Sequence, residues 1–133
     1  MNETMSILVV DDNLAMADTL VDILDAKGFV VHSAAGGVGA LEILQKQPID
    51  ILLTDVKMPE MNGLELYRET RKLYPNLITI FMTAYAADDL IQQGMAEGVK
   101  TVLTKPVEIN FLLLLFSSYK RRINAENIRK ASG

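Results

Sequence analysis

The chain has no cysteine and a single histidine, His32. The missing thiols exclude disulfides, thiolate zinc sites and cysteine nucleophiles together. A cysteine-free chain also suits a reducing compartment, and the expected location is the cytoplasm. His32 falls at the end of a short apolar stretch, away from the other polar side chains singled out below. It therefore reads as structural or exposed, and no Ser-His-Asp arrangement can be built around it. Long apolar runs are absent too: the longest, Phe111 to Phe116, is far short of the ~20 residues a membrane span requires. Met1-Asn2-Glu3-Thr4 lacks a basic start, so no secretory leader is expected. Positive charge is not in excess, since 13 Lys and Arg against 17 Asp and Glu give a net charge of −4. That balance argues against nucleic acid as the default partner of the whole domain. Gly36, Gly37 and Gly39 lack the Gly-Lys-Ser/Thr ending of a phosphate loop and read as a flexible connection.

What is present describes one folded unit. Hydrophobic residues make up 50% of the 133 positions and charged residues 23%, which suits a globular domain with a sizeable core. Ile7-Leu8-Val9-Val10 is a continuous apolar run, as expected of a strand buried on both faces. Asn13 can cap a helix whose Leu14, Ala17, Leu20, Val21 and Leu24 recur at helical spacing, with Gly28 closing it. Phe29-Val30-Val31 reads as a second strand and Val38 to Lys46 as a second helix, Leu41 and Leu44 facing inward. After Pro48, Ile49 to Thr54 is the third strand, and the stretch from Val56 to Gly63 is a loop punctuated by Pro59 and Asn62-Gly63. A helix from Leu64 to about Leu73 precedes Pro75. Leu77 to Met82 then forms a strand, Asp88 to about Glu97 a helix, and Thr101 to Thr104 the fifth strand. A last helix runs from about Val107 past Tyr119. This alternation predicts an α/β domain with a parallel sheet and helices on both faces.

In such sheets the functional crevice lies outside the carboxyl ends of the strands. Asp11, Asp12, Asp55, Thr83 and Lys105 all fall there. Clustered carboxylates suit a hard divalent cation, and Mg2+ takes few carboxylates while keeping several waters. A cation also relieves their mutual repulsion. The Lys105 ammonium can pair with Asp55 or with a phosphoryl oxygen, and the Thr83 hydroxyl can donate to another. Phosphoryl transfer needs mainly positioning and charge neutralisation, and this set supplies both. Asp55, alone at the end of the third strand, is the best placed nucleophile, with an aspartyl phosphate as product. Taken singly, the same residues have plainer uses. An acidic pair at a helix start complements the helix dipole. A strand-end threonine is commonly a cap, and a lone lysine a solvated surface charge.

Four stretches in this order resemble the receiver domain of bacterial two-component response regulators. They are Ile7-Leu8-Val9-Val10-Asp11-Asp12-Asn13, Leu53-Thr54-Asp55-Val56-Lys57-Met58-Pro59-Glu60-Met61-Asn62-Gly63, Phe81-Met82-Thr83-Ala84-Tyr85 and Leu103-Thr104-Lys105-Pro106. The resemblance covers roughly residues 5 to 120. It implies a flavodoxin-like, doubly wound, five-stranded parallel sheet in the order 2-1-3-4-5 with five helices. It implies a domain over residues 1–120 and a basic helix end or linker stub over 121–133. It implies a phosphorelay switch in which Asp55 accepts a phosphoryl group from a sensor histidine kinase or phosphotransfer protein. Mg2+ would sit on Asp12 and Asp55 directly, on Asp11 through water, and on the Lys57 backbone carbonyl. Thr83 and Lys105 would contact the phosphoryl group, and the Lys105-Pro106 bond would be cis. Such a domain is a signalling element rather than an enzyme, beyond catalysing its own phosphotransfer and autodephosphorylation.

One position departs from that pattern. The family usually carries Tyr or Phe three residues before the lysine, where this chain has Val102, stiff at its first torsion and without a ring. Tyr85 is the candidate substitute. Lys57 and Tyr85 also occupy positions that, in the family, tune the phosphoryl lifetime.

In the final helix, Ile109, Leu112, Leu113 and Phe116 fit one inward stripe. Phe111, Leu114 and Leu115 are left over, either as surplus apolar surface or as a patch for association. The family's fourth helix, fifth strand and fifth helix suggest a symmetric dimer there. The basic run Lys120, Arg121, Arg122, Arg129 and Lys130 against Glu126 is read as a solvated helix end without a base-reading module. Two other readings stay open at this point: a receiver-like module that signals without phosphorylation, and a Mg2+-dependent phosphohydrolase using an aspartyl phosphate.

Overall fold

The computed structural model describes residues 4–85 and 87–132. The side chains of Arg122 and of residues 126–132 lie outside that description, Arg129 and Lys130 of the basic run among them. Five strands alternate with five helices: β1 (Ser6–Val10), α1 (Leu14–Ala26), β2 (Val30–Ala34), α2 (Gly37–Lys46), β3 (Ile51–Asp55), α3 (Gly63–Leu73), β4 (Ile78–Thr83), α4 (Asp89–Glu97), β5 (Thr101–Thr104) and α5 (Ile109–Ser132). All strand pairings are parallel, and the sheet order is β2-β1-β3-β4-β5. This is the flavodoxin-like order that the family resemblance implies.

The continuous apolar strands divide their side chains between two cores by simple alternation. Ile7, Val9, Ile51, Leu53, Ile80 and Met82 face α1 and α5, where they meet Ala17, Leu20, Leu24, Leu112, Phe116 and Tyr119. Leu8, Val10 and Leu52 face the other way, onto Ala40 and Leu44 of α2 and Leu66 of α3. A third cluster joins Phe81 and Val56 to Leu64 and Tyr67 of α3 and Ile91 of α4. Burying side chains of this size contributes about 1.5–3 kcal/mol each, which is what fixes the layered arrangement.

Local signals set the helix ends. Asn13 accepts the Met16 N–H and starts α1. Asn62 and Glu65 form a reciprocal capping box that starts α3 one residue earlier than the apolar spacing suggests. Helix α5 starts at Ile109 rather than near Val107, because the Glu108 carboxylate accepts the N–H groups of Asn110 and Phe111 and turns the chain there. Strand β2 also differs from its predicted extent of Phe29 to Val31. It pairs along all of β1, so His32 lies mid-strand opposite Leu8 and not at a strand end. The third strand begins at Ile51 and ends on Asp55 itself.

Helices α3 and α4 are tied at one end. Glu97, the last residue of α4, receives two hydrogen bonds from Arg68, at 2.9 and 2.6 Å, and an ion pair from Arg71 at 3.4 Å. The Glu97 carbonyl also accepts the Tyr67 hydroxyl at 2.8 Å. Gly94 lets α4 lie directly on the Phe81 ring, since a Cβ there would stand 2.5 Å from Phe81 Cε2.

One polar group in this interior lacks compensation. Thr79 is 2% exposed and its hydroxyl meets no partner among the described residues. Burying an unpaired hydroxyl costs about 1–3 kcal/mol. Thr79→Val, which keeps the shape, is therefore expected to raise unfolding stability by about 1 kcal/mol in urea melts. A loss of stability would mean that the hydroxyl is paired.

Candidate functional site

The carboxyl edge of the sheet collects the residues singled out by sequence. Asp11 follows β1, Asp55 ends β3, Thr83 ends β4 and Lys105 follows β5. Asp11 is 2% exposed and Asp55 8%, whereas Asp12 beside them is open to solvent. Oxygens of Asp11, Asp12 and Asp55 all lie within 4.8 Å of one another.

Each buried carboxylate is held at both oxygens. Asp11 Oδ1 accepts the Asn13 N–H at 2.9 Å, and Oδ2 takes the Lys105 ammonium at 2.9 Å. Asp55 Oδ1 accepts the Val56 N–H at 2.9 Å, and Oδ2 faces Lys105 at 3.3 Å. Lys105 thus bridges the two acids. Its backbone is fixed by its N–H on the Thr83 carbonyl at 2.8 Å, and the Lys105-Pro106 peptide is cis.

The electrostatics follow from this packing. Burial pushes the Asp55 carboxyl above its usual value of 3.8, Lys105 works against that shift, and the Asp11 charge adds to it. Burial disfavours the Lys105 ammonium, but the hydrogen bond to Asp11 and the charges of both acids outweigh it and hold its pKa above 10.5. Three carboxylates against one ammonium leave surplus negative charge at this edge. Oxygen donors this close repel one another, and a small hard cation would relieve that repulsion.

The switch-related positions are also in view. The Thr83 hydroxyl accepts the Tyr85 N–H at 2.9 Å, which leaves its own proton to be donated. Val102 is half-buried beside Phe81, against the cluster of Val56, Leu64, Tyr67, Ile91 and Val99. Tyr85 does not pack there; it is 66% exposed. The fully buried ring in this region is Phe81, held under Gly94, which the sequence reading passed over.

Lys57 sends its ammonium to Asp88 at 2.7 Å, and its carbonyl enters no backbone hydrogen bond among the described residues. Asp88 also accepts the Leu90 N–H and so caps α4, and the Lys57 hydrogen bond holds its carboxyl below the usual range. That double use was not visible in sequence, where Asp88 marks only a helix start. On α5, Phe111 and Leu114 stand out at 48% and 69% exposure. Leu115 does not join them, because it packs partly against the main core.

Comparison with known proteins adds a family to this geometry. A profile of the response regulator receiver domain matches residues 7–116. A response regulator receiver protein of Anaeromyxobacter sp. (strain Fw109-5) is 41% identical over 106 residues, covering 80% of this chain and 44% of that protein. The chain thus spans less than half the length of that relative. Sporulation initiation phosphotransferase F of Bacillus subtilis (strain 168) is 36% identical over 110 residues, covering 83% of this chain and 87% of that one. Among solved structures, a CheY-like receiver domain protein from Methanospirillum hungatei JF-1 superposes with a TM-score of 0.84 at 27% identity, over 92% of this chain and 99% of that chain.

Proposed function

Since the chain belongs to the response regulator receiver family, a signalling family of two-component phosphorelays, we propose that Asp55 is its phosphoacceptor. The donor is a phosphohistidine on a sensor histidine kinase or phosphotransfer protein, reached in the cytoplasm. The observation that carries this reading is the Asp55 carboxylate, held by Val56 N–H and Lys105 beside two further aspartates.

An Asp55 oxygen attacks phosphorus, the P–N bond to the imidazole breaks, and the imidazole leaves with its electron pair. Lys105 neutralises charge on the transferring oxygens, and Thr83 donates its hydroxyl proton to another. Asp11, Asp12, Asp55 and the Lys57 carbonyl are the proposed Mg2+ ligands, and the cation supplies charge neutralisation for the transferring group when bound. Asp12, the exposed carboxylate of the three, is free to reach the ion directly beside Asp55. Asp11, tied to Lys105 and Asn13, is better suited to act through water.

The proposed unit is residues 1–120, with 121–133 as its basic helix end or linker stub; α5 runs through that boundary to Ser132 without a break. Among the described residues no helix is long and apolar enough to cross a membrane.

The test is intact mass after incubation with acetyl phosphate, in Mg2+ and in EDTA, followed by borohydride trapping to locate the acyl phosphate. One adduct, Mg2+-dependent and at position 55, is expected. If neither acetyl phosphate nor a histidine kinase labels a protein that binds Mg2+, the domain signals by binding alone. Val102, in place of the usual ring, is the feature that favours that second reading.

Association is a separate part of the proposal. Exposed Phe111 and Leu114 on α5 support a symmetric dimer through α4, β5 and α5. Sedimentation with a phosphoryl mimic should show a dimer that Leu114→Glu abolishes. A monomer both with and without the mimic removes it.

A further inference from the structure

The backbone carrying the acceptor is clamped on two sides. Thr54 has no exposed surface, and its hydroxyl donates to the carbonyl oxygen of Asp55 at 2.9 Å. From the other side, α3 begins directly against the same group. A Cβ on Gly63 would stand 2.5 Å from Asp55 O, 3.3 Å from its carbonyl carbon and 3.0 Å from Val56 Cα. Gly63 also donates its N–H to the Val56 carbonyl at 2.8 Å.

The peptide group between Asp55 and Val56 therefore cannot turn freely. Its N–H is the group that binds Asp55 Oδ1. Any rotation of this peptide plane draws the N–H off the carboxylate and lets the acid pivot. With the plane fixed, Oδ1 stays on the backbone and Oδ2 stays toward Lys105. A buried hydroxyl on a strand has plainer uses, chiefly self-satisfaction. Here, however, it is spent on the acceptor's own carbonyl rather than on a residue back along the chain, as Thr70 spends its hydroxyl on Tyr67.

We infer that Thr54 is a positioning residue for phosphoryl transfer: its hydroxyl, opposite the bare Gly63, holds the Asp55-Val56 peptide and thereby the rotation of the acceptor carboxylate. The inference rests on the reading of Asp55 as acceptor. It concerns rate, because misplacing an attacking group by about 1 Å can cost about a hundredfold, and a smaller pivot a part of that.

Two substitutions separate the hydroxyl from the packing. Thr54→Val keeps the shape and removes the hydroxyl. Thr54→Ser keeps the hydroxyl and leaves a methyl-sized gap, so it is the less stable of the two. The acetyl phosphate time course at saturating Mg2+ is followed for each, alongside urea unfolding. Thr54→Val is expected to label about tenfold more slowly, and Thr54→Ser within about twofold of wild type despite its lower stability. The Val56 amide should exchange with solvent faster in Thr54→Val only. Wild-type labelling in Thr54→Val, or rates that rank with stability, would overturn the inference while leaving Asp55 as acceptor. Absence of any adduct on the wild type overturns the acceptor reading, and this inference with it.

Discussion

Replacing Lys105 with methionine is expected to lower unfolding stability by about 2–4 kcal/mol in EDTA, and Mg2+ is expected to return most of that loss. The ammonium lies 2.9 Å from Asp11 and 3.3 Å from Asp55, and it is the only cation paired with either acid among the described residues. Methionine keeps the length and much of the packing but leaves two buried carboxylates facing each other. Removing one partner of a buried pair usually costs about 3–5 kcal/mol. The value here is discounted because exposed Asp12 shows that this edge opens to water. A ligand at a hundred times its dissociation constant adds about 2.7 kcal/mol to the folded state. The variant has more negative charge to neutralise, so it should gain more from Mg2+ than wild type does. Urea melts of both proteins, with and without Mg2+, measure the difference. An equal loss in EDTA and in Mg2+ would assign the effect of Lys105 to packing instead of charge.

Asp55→Asn is expected to abolish the phosphoryl adduct completely, since the amide has no nucleophilic oxygen to offer. It should also change how stability depends on pH when no divalent ion is present. Burial, with the Asp11 charge added and Lys105 opposing, holds the Asp55 carboxyl above 3.8 in the folded protein. Between the unfolded and folded values the folded state binds the extra proton, so stability falls as pH rises through that interval. Asp11, Asp12 and Lys105 are the charged groups facing it. Asn carries no titrating proton, so the variant loses this slope and is the more stable protein at neutral pH in EDTA. Its Mg2+ affinity should fall at the same time. Denaturant melts in EDTA from about pH 3 to about pH 7, roughly the span over which a carboxyl titrates, would test the slope; parallel curves for both proteins would contradict it.

The legible part of this molecule is the part in which one residue's surroundings follow from its neighbours in sequence. Ile7-Leu8-Val9-Val10 announces a strand covered on both sides, and in the structure its residues alternate between the two cores. Because strands of a parallel sheet end together, Asp11, Asp55, Thr83 and Lys105 could be gathered at one edge before any distance was known. Edge strand β2 is harder to read, since His32-Ser33-Ala34 carry little apolar signal and are extended where β1 pairs with them. Leu115 was misassigned for a similar reason: helical spacing gives a direction, but the width of the buried stripe depends on how closely α5 approaches the sheet. The ion pair between Lys57 and Asp88 joins two loops far apart in sequence, and nothing in either loop names the other. Gly63 reads as loop punctuation and Gly94 as an unremarked position inside a helix, although each marks a contact too close for a side chain.

The two ends of α4 are held very differently. At Glu97 two arginines and a tyrosine converge on one residue, while at Asp88 the side-chain tie to the Lys57 loop is, among the described residues, one ion pair whose lysine is 56% exposed. A rod fastened this way is expected to swing about its better-tied end rather than to slide. Its pivot is the Glu97 end, and with nine residues at about 1.5 Å each the lever arm is roughly 13 Å. If Asp55 is phosphorylated as proposed, displacement is expected to be largest at Asp88 and Asp89, before the buried Ile91, and to shrink toward Glu97. A partner that senses the state of this domain through α4 would gain most by gripping its more lightly tied Asp88 end.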